Sequence, residues 1–237
     1  MDTNKSTART VGILFIVGTL AGILSAVLMQ PILNHADFLG KVSASQNQIV
    51  TGAILVLVMG LALSMIPVVM FPIFKKFNEP LAFGAVIFRG ALEAGLYIAM
   101  IVTWLLMLTV GQEYVNASTV GNSYFQTLGT LLLKAGDQIN SVLKIVFSVG
   151  ALMIYYLYFR SGLIPRWLSL WGLVGALLYL TSGFFALFSI ELGILLAPLG
   201  VQEMVLALWL IVKGFSPTPL TDQRRGDASG KRAGGSG

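Results

Sequence analysis

Residues Thr10 to Ala36 read TVGILFIVGTLAGILSAVLMQPILNHA, 27 positions without Asp, Glu, Lys or Arg. A helix needs about 20 apolar residues to cross the roughly 30 Å hydrocarbon core of a bilayer. Residues 10–30 are enough for one span. The run outlasts a signal-peptide core and no clear small-residue cleavage site follows it, so it reads as a retained helix. Gln30-Pro31 and Asn34-His35-Ala36-Asp37 mark the loop after it.

The same reading extends along the chain. Val42 to Phe74 is again free of ionised side chains and holds a second span at 48–73. Pro67 and Pro72 near its end predict a kink. After the basic turn Lys75-Lys76-Phe77-Asn78-Glu79-Pro80, a third span covers 82–109. Residues 122–137 are mildly amphipathic and form either an interfacial helix or an extension of the fourth span at 141–160. Tyr155, Tyr156 and Tyr158 before Arg160 suit the headgroup level, where an apolar ring keeps its hydroxyl wet. Pro165 can start the fifth span at 166–189. The sixth, at 193–213, has Pro198 and Gly200 as break points. From Ser216 the chain is polar and has too few apolar residues to bury, so it reads as a disordered cytoplasmic tail. Gly230 to Gly237 has the look of a cloning remnant. The organisation is therefore a transmembrane domain over 1–215 and a tail over 216–237.

Composition supports this all-α polytopic bundle of six helices. Of 237 residues, 56% are hydrophobic and 11% charged, against about 25% charged in soluble domains. So few charges cannot cover a water-facing surface, and mean hydropathy is +0.85. The net charge of +5 does not imply nucleic acid, because the basic residues sit at helix ends and form no stripe. Lys5, Arg9, Lys75, Lys76, Arg160, Arg166, Lys213, Arg224 and Arg225 fall on one side of the predicted topology, Lys41 and Lys134 on the other. The positive-inside rule then puts both termini in the cytoplasm.

The chain has no cysteine and a single histidine, His35. That leaves no disulfide framework, thiolate metal site or multi-histidine site. Phosphate-binding, dinucleotide, nucleophile-elbow and H-E-x-x-H patterns are also missing. No catalytic residue, metal ligand or cofactor is assigned.

Four ionisable residues fall inside the predicted spans: Arg89, Glu93, Lys144 and Glu203. An ionised side chain at mid-membrane costs about 2.5–3.5 kcal/mol on insertion scales, so these four form the candidate polar core. At about 1.5 Å of rise per residue, Arg89 lies about 10 Å, Glu93 about 16 Å and Glu203 about 15 Å from the cytoplasmic end. Lys144 is about 24 Å from that end, within snorkelling distance of the far interface. Arg89 and Glu93, four apart, share a helix face. Arg89 can fork between Glu93 and Glu203 through its planar guanidinium, which would make the third and sixth spans neighbours. Two acids and one fixed cation leave one negative charge over. Either Lys144 neutralises it or one acid carries a proton.

Four stretches together resemble a known family. They are Ala8-Arg9-Thr10-Val11-Gly12-Ile13-Leu14-Phe15, Arg89-Gly90-Ala91-Leu92-Glu93-Ala94, Arg160-Ser161-Gly162-Leu163-Ile164-Pro165-Arg166-Trp167-Leu168, and Glu203 followed by Leu208-Trp209-Leu210-Ile211-Val212-Lys213-Gly214-Phe215. In order and topology this is similar to the bacterial domain-of-unknown-function family 4386, over about residues 6–215. The resemblance implies a multi-pass protein of the bacterial cytoplasmic membrane. It marks Arg89, Glu93, Arg160, Pro165, Arg166, Glu203, Lys213 and Gly214 as family-like positions, with no role for any of them.

Three functions fit these residues. The first is a transporter or channel for a small solute or for protons, with membrane lipids as its surroundings and the Arg/Glu core on the path. The second is an intramembrane enzyme acting on a lipid, with Glu93 or Glu203 as acid or base. The third is a non-catalytic sensor or partner subunit in which the ion pairs only set helix register. The sequence assigns no oligomeric state.

Overall fold

A computed structural model describes residues 3–117 and 122–216. Among these the chain forms helices joined by short connections, with no strand, and six helices are long and apolar enough to cross a membrane. The elements are α1 (Thr3–Leu33), α2 (Phe38–Ala44), α3 (Gln46–Phe74), α4 (Glu79–Ala85), a π-helical segment (Val86–Leu92), α5 (Glu93–Asn116), α6 (Asn122–Ser161), α7 (Arg166–Leu187), a 3₁₀ turn (Gly193–Leu196) and α8 (Ala197–Val212). The tail beyond Ser216 lies outside the described residues.

Local chemistry explains the boundaries. The Asn78 side chain accepts from the Leu81 amide at 3.0 Å and Pro80 stands in the first turn, which starts the third span. Pro165 precedes α7. Gly162 and Gly214 take φ of 64° and 73° just past the ends of α6 and α8, the left-handed conformation glycine adopts without strain. Short helix α2 does not show in the hydropathy. Asp37 initiates it by accepting from the Gly40 amide at 3.2 Å.

Two expectations are refined. Residues 122–137 continue α6 and do not lie on the surface as a separate helix. Forty residues make α6 about 60 Å long, about twice the hydrocarbon core, so its first turns stand clear of the bilayer. Pro198 lies where the sixth span passes from a 3₁₀ turn (Gly193–Leu196) to regular α-helix. It occupies the first turn of α8, where its missing N–H has no partner to lose.

The six spans close into a ring in chain order: α1 on α3, α3 on α5, α5 on α6, α6 on α7, α7 on α8, and α8 back on α1. Lys5, Lys75, Lys76, Arg160, Arg166 and Lys213 gather at one end, the basic end, where the Ser216 amide donates to the Leu163 carbonyl at 2.8 Å. Ile23, Leu24, Val27, Leu61, Leu177 and Phe184 point outward, as lipid-facing residues do. Lipid tails are as apolar as these side chains, so association rests on close packing and polar contacts. Glycine supplies the packing. A Cβ at Gly12 would stand 2.7 Å from the Ala207 carbonyl oxygen, so α1 and α8 approach backbone to backbone. Gly18 receives Leu63, and Gly22 receives Met59, both of α3.

Two apolar clusters fill the ring. One, with Phe15, Ile66, Met70, Phe74, Tyr158 and Leu210, runs toward the basic end. The other, with Met29, Ile32, Leu39, Val42, Ile49 and Met107, closes part of the opposite end, where α2 is tucked against α5.

Candidate functional site

The third span changes pitch between Val86 and Leu92. At its end the Glu93 amide bonds to the Phe88 carbonyl, five residues back. Such π turns insert an extra residue into a helix and recur at functional sites. This one carries Arg89 into the ring and sets its backbone against α6 at Gly150. A Cβ on Gly150 would lie 2.9 Å from both the amide nitrogen and the Cβ of Arg89.

The Arg89 guanidinium lies between two acids. Nη1 donates to Glu93 Oε2 at 3.2 Å and to Oε1 at 3.4 Å, and Nη2 donates to Glu203 Oε1 at 2.9 Å. Its centre lies 4.1 Å from the Phe147 ring centroid, a cation–π contact away from water. Each acid also has a tyrosine. Tyr97 donates to Glu93 Oε1 at 3.2 Å, and Tyr155 to Glu203 Oε1 at 3.5 Å. Arg89 and Glu93 are 1% exposed, Glu203 9%. Tyr155 fits because α7 has a glycine opposite it, since a Cβ on Gly172 would overlap the Tyr155 ring.

The structure thus brings Arg89, Glu93 and Glu203 together, and the third and sixth spans do meet through these side chains. They are not packed side by side. The partners of α8 are α1 and α7, and the ion pair reaches across the ring. Lys144 stands apart. Its Nζ is 3.1 Å from Oε2 of Glu191, in the connection between α7 and α8. The three-residue core therefore holds two carboxylates and one guanidinium, with no second cation in contact among the described residues.

A cavity of about 1090 Å³ opens at the end opposite the basic one. Gln30, Asn34, Lys134, Asp137 and Glu191 stand around it, and its deep wall includes Tyr97, Met100 and Trp104. Because the Tyr97 hydroxyl donates to Glu93, the cavity wall is hydrogen-bonded to the ion cluster through this side chain.

Tyr97, Phe147, Gly150, Tyr155 and Gly172 complete the site and are not among the residues that hydropathy singles out. Tyr97 could have been found, because it lies four residues after Glu93 on the same helix face. Tyr155 is a correction. It is 1% exposed and bonded within the cluster, whereas Tyr156 is 41% exposed. Helical periodicity turns Tyr155 and Tyr158 inward and Tyr156 outward.

Fold and site define a six-helix membrane bundle with an intramembrane Arg/Glu cluster beneath a polar-mouthed cavity. The chain belongs to the family described as "Domain of unknown function (DUF4386)", whose model matches residues 10–214. No curated protein and no solved structure matches it.

Proposed function

We propose that this is a proton-linked carrier of small solutes in the bacterial cytoplasmic membrane, with the cavity open to the outside and both termini in the cytoplasm. The reading rests on one observation: the cavity ends on Tyr97, whose hydroxyl is bonded to the Arg89–Glu93–Glu203 cluster. A group that binds solute and a group that holds charge are then one hydrogen bond apart. The cluster has one carboxylate more than it has cations. An uncompensated charge inside a bundle is costly, so a proton on the cluster balances it, and that proton can leave when a solute brings a positive charge. Tyr97, bonded to Glu93, faces the cavity, while Glu203–Tyr155 adjoins the apolar cluster that runs to the basic end. The reading as a structural subunit draws on the near-complete pairing of Arg89 and Glu93.

A pH step tests this. Purified protein in proteoliposomes adsorbed on a solid-supported membrane should give a transient current, because a proton entering the cluster crosses part of the membrane field. Glu93→Gln and Glu203→Gln should each reduce it to the level of empty liposomes. A wild type indistinguishable from empty liposomes overturns proton linkage.

Orientation has its own measurement. The chain lacks cysteine, so single substitutions label without background. Asn34→Cys and Gln138→Cys, both exposed at the cavity end, should react in intact cells with a membrane-impermeant maleimide. Glu79→Cys, exposed at the basic end, should react only after lysis. The reverse pattern puts the basic end outside.

A further inference from the structure

The wall of the cavity has a composition that points to a class of ligand. Glu93, Tyr97, Met100, Trp104 and Met107 follow one another at spacings of four, three, four and three. That is one face of α5, a strip about 21 Å long from the ion cluster to the mouth. Met29 and Met59 face the strip from α1 and α3, so four of the nine methionines of the chain line this one space. Methionine is unbranched and polarizable, and surfaces built from it repack around ligands of different shape. Trp104 and Tyr97 line the cavity, are each partly exposed, and carry electron-rich rings of the kind that attract a cation.

Charge points the same way. The ionised groups lining the cavity are Lys134, Asp137 and Glu191. Glu191 contacts Lys144, and below the floor Tyr97 leads to Glu93, Arg89 and Glu203. Four carboxylates thus meet three cations. The carboxylate in excess, neutralised by the cluster's proton until a cation takes its place, is at the closed end, beneath the aromatic and methionine strip. Lys134, the cation among the lining residues, is exposed. A ligand that lays an apolar body on the strip and brings one positive charge matches the cavity in shape, polarity and sign. At about 1090 Å³ the cavity is just larger than the pockets of roughly 300–1,000 Å³ that bind drug-sized molecules.

We propose that the cavity binds amphipathic organic cations, with the Tyr97–Met100–Trp104–Met107 face of α5 holding the apolar body and the Glu93 end attracting the charge. This rests on the carrier reading for the role of binding, though the binding itself is testable without transport.

Two ions of nearly the same shape and opposite charge supply the test. Full-length protein in nanodiscs is titrated separately with tetraphenylphosphonium and tetraphenylborate, with empty nanodiscs subtracted. Tetraphenylphosphonium should bind saturably at one site, and tetraphenylborate at least about tenfold more weakly. Trp104→Ala should weaken the cation about tenfold and Trp104→Phe much less, as a desolvated cation–π contact requires. Met100→Lys should reverse the preference between the two ions without depending on any cluster residue. Equal affinity for both ions, no saturable cation binding, or full affinity in Trp104→Ala overturns the ligand class. A pH-step current without tetraphenylphosphonium binding overturns this inference alone. Binding without the current overturns proton linkage alone.

Discussion

Arg89→Met should lose its fold at temperatures where the wild-type protein stays intact. The substitution keeps the apolar stem but removes a guanidinium that contacts Glu93, Glu203 and the Phe147 ring. Two buried carboxylates are then left with one tyrosine hydroxyl each. Removing one partner of a buried ion pair costs about 3–5 kcal/mol, and here two acids lose the same partner. The cost comes from stranded charge and not from missing contact area, so it should be recoverable. Arg89→Met combined with Glu93→Gln and Glu203→Gln should regain much of the loss, because neutral amides keep the tyrosine hydrogen bonds without the charge. Thermal melting followed by fluorescence-detected size exclusion in detergent measures both steps. A single variant that melts with the wild type would mean that the cluster does not hold the ring together.

Gly150→Ala should also destabilise the bundle, by a smaller amount than Arg89→Met. The added methyl has no free direction, because it meets the amide nitrogen and Cβ of Arg89 at 2.9 Å and its Cα at 3.2 Å. A backbone cannot swing aside as a side chain tip can, so α6 and the π turn must separate. Overpacking of this kind costs about 1–3 kcal/mol. It also lengthens the reach from Arg89 to Glu203, since α6 then no longer seats the π turn. Gly95→Ala is the matched control, with nothing within 4 Å of its added methyl. The melting temperature should fall for Gly150→Ala and stay level for Gly95→Ala. Equal behaviour of the two would show that the π turn does not depend on this contact.

The two variants probe different features of one site. Arg89 is held from several sides, and Gly150 admits its backbone. The cavity touches this rigid centre through Tyr97. In the proposed carrier, this narrow link lets a solute in the cavity affect the charge below without opening the bundle.

Much of this protein is legible from residue order alone. Apolar runs of membrane length specify six spans, three of them interrupted by ionisable residues, because an ionised group or an unpaired backbone is too costly in hydrocarbon to occur there without reason. The same cost makes Arg89, Glu93 and Glu203 conspicuous, and their depths along the helices already bring them to similar levels. Four facts were settled only by the tertiary structure. The third and sixth spans meet across a ring and not side by side. Lys144 belongs to Glu191. Tyr155 points into the cluster and not to the headgroups. A strip of α5 becomes the wall of a cavity. Hydropathy reports the cost of moving each residue from water to lipid, which is a property of that residue alone. A helix face takes its partner from how all six helices pack, and in lipid that packing turns on contacts as small as the one between Gly150 and Arg89.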